Sequence, residues 1–187
     1  MNILVIIGST RANRNAERVK TWLAAELTQR DGATYDIVDL RDVNLPFYDE
    51  VDSVGGMNYD DYRHSEAAAW GKRVETADGF MFVTPEYNHA PPATIKNAID
   101  YAWKGWNYKP MSVISYSAGS IAGARAAEQL RLMSLGVRLL PLPTAVHIGN
   151  VTEVLSEDGV ADAAAGTNKA LAATCDELES ITAKLTD

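Results

Sequence analysis

Ile3-Leu4-Val5-Ile6-Ile7-Gly8-Ser9-Thr10-Arg11-Ala12-Asn13-Arg14-Asn15 opens the chain. Five apolar residues without alternation, closed by Gly8, form the pattern of a strand buried on both faces of a parallel sheet. Val19, Trp22, Leu23 and Leu27 then recur at helical spacing, and Gly32 suits the C-cap. Between strand and helix lies a loop with hydroxyls, two guanidiniums and the free amides of a helix N-terminus. That set suits a phosphate monoester better than a bare N-cap with solvent-facing arginines. The loop lacks the second Gly and the Lys of a Walker loop, and it is not Gly-x-Gly-x-x-Gly.

Strand signals recur at 35–40, 79–84, 111–117 and 137–140, the last continued near 145–148. Helical spacing fills the intervals at 67–77, at 121–135 before Gly136, and from Leu171 to Leu185. Another helix opens at Pro91 and Pro92 and carries Ile95, Ala98, Ile99, Ala102 and Trp103 on one face. Strands alternating with helices predict an α/β fold, a mostly parallel sheet with helices on both faces. Right-handed crossovers bring the loops after the first, third and fourth strands to the C-terminal edge, where such sheets bind ligands.

The chain has 187 residues, 17 Lys+Arg against 25 Asp+Glu, and a net charge of −8. The length predicts one domain over 1–187. The acidity argues against nucleic acid as a partner. It is concentrated in residues 41–62 and 153–187, so the remainder can still receive an anion. Asp60 and Asp61 belong to an acidic loop, 50–62, that suits a lid over a substrate. A single cysteine, Cys175, rules out a disulfide framework and sits on the apolar stripe of the last helix. No run approaches the roughly 18 apolar residues of a membrane helix, and the N-terminus does not read as a signal peptide. A cytoplasmic protein is expected.

The second edge loop is Thr84-Pro85-Glu86-Tyr87-Asn88-His89-Ala90-Pro91. It reads equally as a surface for a planar heteroaromatic or as a stiff turn with a half-buried tyrosine. The third, Ser115-Tyr116-Ser117-Ala118-Gly119-Ser120, is either a tight turn or a ligand wall of small residues. It is not a nucleophile elbow, because Ser115 stands where Gly is required. His64, His89 and His147 are isolated, so no metal site is expected; His89 alone lies in an edge loop. Asp39, at the end of the second strand, suits a cap better than a ribose contact. Trp103, Trp106 and Tyr108 form an aromatic cluster that suits the core or a subunit contact.

Gly8-Ser9-Thr10-Arg11 with Arg14, Pro85-Glu86-Tyr87-Asn88 followed by Ile95-Lys96-Asn97-Ala98, and Ser117-Ala118-Gly119 together resemble the NAD(P)H-dependent FMN reductase family. The resemblance extends from Met1 to about Ile148. It implies a flavodoxin-like three-layer sandwich with a five-stranded parallel sheet in the order 2-1-3-4-5. It implies that Ser9, Arg11 and Arg14 hold the FMN phosphate. Pro85, Glu86, Tyr87 and Asn88 would border the isoalloxazine through backbone groups, with Ser117 and Gly119 on its other side. NADPH or NADH would be the hydride donor, a small molecule the acceptor, and a homodimer or homotetramer the assembly. Arg14 and Ala16 depart from the Ser and Asn of many relatives, and Ala118 from a proline. The competing readings are a flavodoxin-type electron carrier that does not use NAD(P)H, and a flavin-free scaffold.

Overall fold

The computed structural model describes residues 1–186. Five parallel strands, β1 (Asn2–Ile7), β2 (Thr34–Asp39), β3 (Gly79–Pro85), β4 (Pro110–Tyr116) and β5 (Leu140–Ile148), form one sheet. Their order is β2-β1-β3-β4-β5, as the resemblance implied. β1, β3 and β4 are buried along almost their whole length, which explains their unbroken apolar runs.

Helices cover both faces. On one side α1 (Ala16–Leu27) and α8 (Thr167–Thr186) pack Trp22, Leu23, Leu171 and Leu178 against Ile3, Val5 and Met81. On the other, α3 (Ser65–Glu75), α4 (Ala93–Asp100) and α6 (Ala124–Gly136) pack Trp70, Ile95 and Leu130 against Leu4, Ile6, Phe80 and Phe82. Short helices α2 (Leu40–Val43), α5 (Trp103–Trp106) and α7 (Val151–Val154) complete the chain. Among the described residues, no helix is long and apolar enough to cross a membrane.

The structure departs from the sequence expectation in four places. The helix read through Trp103 stops at Asp100 and restarts as α5. The indole N–H of Trp70 donates to Ala98 O at 2.8 Å and that of Trp106 to Ile99 O at 3.0 Å, taking carbonyls that would have continued it. Trp106 is thereby fully buried, its ring 4.6 Å from that of Phe80, while Trp103 and Tyr108 remain partly or largely exposed. The fifth strand starts at Leu140 rather than 137 and runs unbroken through Pro141 and Pro143. It is an edge strand, where a missing N–H is tolerated, and the register slips between Met111 and Val113 beside the second proline. The helix expected from 121 starts at Ala124, because Ala122 and Gly123 both adopt positive φ. Finally, the acidic stretch 50–62 is not a free lid. Val54 and Tyr62 are buried in the core, and Tyr62 Oη donates to Tyr101 O at 2.9 Å.

Candidate functional site

The loops after β1, β3 and β4 meet at the C-terminal edge of the sheet around a cavity of about 230 Å3. The first contributes Arg11 and Asn15 to its wall, the second Pro85, Glu86 and Tyr87, and the third Ser117 and Ala118, with Tyr116 at the tip of β4. A larger cleft, about 420 Å3, lies beside β2 and α3. Asp39, Asp42 and Glu66 line it, and its one cation, Arg73, is held by Asp36 at 2.6 and 2.9 Å. Those carboxylates repel an anion, so a phosphate monoester is better matched by the edge cavity.

Gly8 lets the first loop cross close to α4. A Cβ there would lie 2.2 Å from Ile95 Cδ1 and 3.1 Å from Val83 O. Ser9 is fully buried, and its Oγ lies 2.7 Å from Tyr87 Oη. The two arginines of this loop have different fates. Arg14 is buried; it pairs with both carboxylate oxygens of Asp39, one at 2.7 Å, and donates to Ser9 O and to Glu17. Arg11 is exposed, and among the described residues its guanidinium has no hydrogen-bond or ion-pair partner. Of the two, Arg11 lines the cavity.

Asp39 takes the capping role expected of it, accepting from Arg41 N at 3.0 Å. Burial disfavours its charge, but hydrogen bonds from Arg14 and Arg41 and the charges of Arg14 and Lys20 outweigh this. The carboxyl is held below its ordinary value.

The second loop is a tight two-residue turn. Tyr87 N donates to Ala90 O at 2.8 Å and Ala90 N to Tyr87 O at 3.1 Å, with Asn88 at φ 51° and His89 at φ 67°. Two consecutive positive φ values define a type I′ turn, and neither position is glycine. The turn is held from α6: Arg125 Nε donates to Glu86 Oε1 at 2.6 Å, and Gln129 Nε2 to His89 O at 2.7 Å. Burial of the Glu86 carboxyl is outweighed by Arg125 and by backbone amides, so it stays ionised below its ordinary value. Its charge is paired with Arg125.

In the third loop, Ser117 Oγ donates to Gly119 O at 2.7 Å and Ser117 N to Ile148 O at 3.0 Å. A Cβ at Gly119 would meet nothing within 4 Å, so this glycine is not imposed by packing against the protein itself.

Of the residues expected at the site, Arg11, Pro85, Glu86, Tyr87 and Ser117 therefore line one cavity. Ser9 reaches it through Tyr87; Arg14, Asn88 and Gly119 are near it in the chain but are not on its wall. Asn15, Tyr116 and Ala118 on the wall belong to the expected loops but were not singled out, and Arg125 and Gln129 behind it were not anticipated. Tyr116 had one legible signal: a tyrosine at the end of a buried strand needs a partner for its hydroxyl. The three histidines lie apart, His64 on Asp49 at 2.8 Å and His147 on Ser115 Oγ at 2.6 Å.

A family model described as NADPH-dependent FMN reductase matches residues 1–153. An NAD(P)H-dependent FMN reductase of Schizosaccharomyces pombe is 37% identical over 142 residues, covering 76% of this chain and 70% of the yeast protein. A quinone reductase of Pseudomonas putida is 30% identical over 171 residues, 84% of this chain and 83% of its own. Among solved structures, the flavoenzyme NAD(P)H:(acceptor) oxidoreductase FerB of Paracoccus denitrificans is similar in fold. Its TM-score is 0.68 at 24% identity, over 98% of this chain and 94% of that one.

Proposed function

The chain belongs to the NADPH-dependent FMN reductase family, and on that premise we propose that it binds FMN in the edge cavity and passes electrons from NAD(P)H to a small-molecule acceptor. The observation that carries this reading is the meeting of Arg11, Pro85, Tyr87 and Ser117 on one cavity, from three loops far apart in sequence. The residues fit the cofactor on two further counts. Among the described residues, Arg11 has a guanidinium without a partner, and the Tyr116 hydroxyl is buried without one.

Bound FMN would supply the two-electron exchange between nicotinamide and acceptor. The protein's own part is binding, orientation and exclusion of water. Arg11, with Ser9 in the same loop, serves the phosphate; Arg14, already neutralised by Asp39 and Glu17, holds the loop in shape. Backbone groups of Pro85 and Glu86 would border the ring, with Asn88 shaping the turn beside them, and Tyr87, held by Ser9, would orient it. Ser117 would bound the opposite side, its hydroxyl tied to Gly119 O in the same loop. No side-chain acid, base or nucleophile is required, and nicotinamide and acceptor would take turns at the one site, which would give ping-pong kinetics.

Flavin, quinone or a similar oxidant is the acceptor class we assign, in a single FMN-binding unit. The compartment we propose is the cytoplasm, where the free thiol of Cys175 stays reduced. A homodimer or homotetramer is supported by Phe47 and Val51, each 83% exposed, the one just before and the other within the acidic loop 50–62.

An anaerobic visible spectrum of the FMN-reconstituted protein tests the reading. Bleaching by NADPH or NADH, and recovery on adding a quinone, are expected. A bound flavin that stays oxidised with both nucleotides would return the chain to an electron carrier. Failure to bind any flavin would leave a scaffold.

A further inference from the structure

Tyr116 ends β4 with its side chain on the face that packs against α1, and it is 3% exposed. Its Oη is buried and has no hydrogen-bond partner among the described residues, yet the residue lines the edge cavity. The neighbouring hydroxyls are already engaged. Ser9 Oγ is engaged with Tyr87 Oη at 2.7 Å, and Ser115 Oγ with Ala122 O at 2.7 Å and His147 Nδ1 at 2.6 Å. A buried hydroxyl without a partner is costly and rare, and it calls for an acceptor that the protein does not supply.

The rest of the wall indicates the charge of that acceptor. Arg11 brings a guanidinium that no described residue compensates. Asn15 stands at the N-cap of α1 without a side-chain cap bond, so the positive end of a 12-residue helix opens on the same space. Arg14 lies behind, neutralised by carboxylates. Burial, and next the nearby Tyr87, hold the Tyr116 phenol above its ordinary value against the opposing pull of Ser9 and Arg14. It is a proton donor throughout the neutral range.

We propose that Tyr116 donates its hydroxyl hydrogen bond to a phosphate oxygen of the bound flavin nucleotide, beside Arg11, and so helps the protein tell FMN from riboflavin. This rests on the FMN reading above and extends it to a residue of the sheet itself. The donor is carried on a buried strand, so its position is fixed before the ligand arrives.

The test uses apoprotein titrated with FMN and, separately, with riboflavin, followed by quenching of flavin fluorescence. In Tyr116→Phe the FMN dissociation constant should rise on the order of tenfold or more, the effect of losing a hydrogen bond to a charged group, with riboflavin binding unchanged. An FMN constant within about twofold of the unmutated protein overturns the proposal. So does equal weakening of both flavins. Should far-UV circular dichroism show the variant unfolded, the unmutated protein labelled at tyrosine Cζ replaces it. The Tyr116 resonance should move on adding FMN and stay on adding riboflavin; equal movement overturns the proposal. If the unmutated protein binds no FMN, the functional reading falls and this inference with it. If it binds FMN and the variant binds equally well, only this inference falls.

Discussion

Ser9 Oγ and Tyr87 Oη lie 2.7 Å apart although 78 residues separate them in the chain. One hydrogen bond thus ties the loop after β1 to the turn after β3, and the orientation of the Tyr87 ring depends on a serine hydroxyl that is completely buried. Removing either hydroxyl should cost about 1 kcal/mol of stability. Ser9→Ala and Tyr87→Phe should each weaken FMN binding, and the double variant should be no worse than the poorer single one. Flavin titration across the double-mutant cycle checks this; strictly additive losses would show that the bond does not couple the loops.

Arg11 and Arg14 should respond in different ways to truncation. Arg11→Ala removes an exposed, unpartnered guanidinium, so FMN affinity should fall on the order of tenfold while urea unfolding is unchanged. Arg14→Ala strips a buried partner from Asp39 and should cost about 3–5 kcal/mol. Equal effects of the two on unfolding would contradict the division of roles.

The Asp39 carboxyl is held below its ordinary value in the folded state, so its pairing stabilises the protein fully above the unfolded value, about 3.9. That contribution disappears as pH falls through the lower, folded value. Stability of the unmutated protein relative to Asp39→Asn should therefore be constant near pH 7 and shrink steadily on acidification below about pH 4. Urea unfolding at a series of pH values measures it; a gap that widens in acid would reverse the sign.

His89 occupies the second position of a type I′ turn at φ 67°, where glycine is preferred. His89→Gly should raise stability by up to about 1 kcal/mol, since left-handed strain is relieved. The Gln129 bond to the residue 89 carbonyl can persist, as it uses backbone alone. Turnover should be retained, and a large loss would instead give the imidazole a direct part in the reaction.

The sheet was legible because β1, β3 and β4 are covered on both faces, which forces continuous apolar runs such as Ile3 to Ile7. The C-terminal edge followed from connection rules, and so did the three loops. What local reading missed depends on distant partners. Nothing near residues 11–14 distinguishes the two arginines; Asp39, 25 residues on, decides which one is buried. The break at Asp100 depends on indoles from Trp70 and Trp106, and the shape of the second loop on Arg125 and Gln129 of α6. The strand through Pro141 and Pro143 became readable only with its place at the sheet edge known.

Those two prolines also restrict how copies of the chain can meet. Along β5 they remove amide donors that an incoming strand would need, so the sheet is a poor template for growth on that side. Strand-by-strand aggregation is discouraged there, where Glu177 of α8 also takes the Thr144 amide at 3.2 Å. Association of copies is therefore directed to helical faces and loops, and at high concentration the unprotected border to watch is β2.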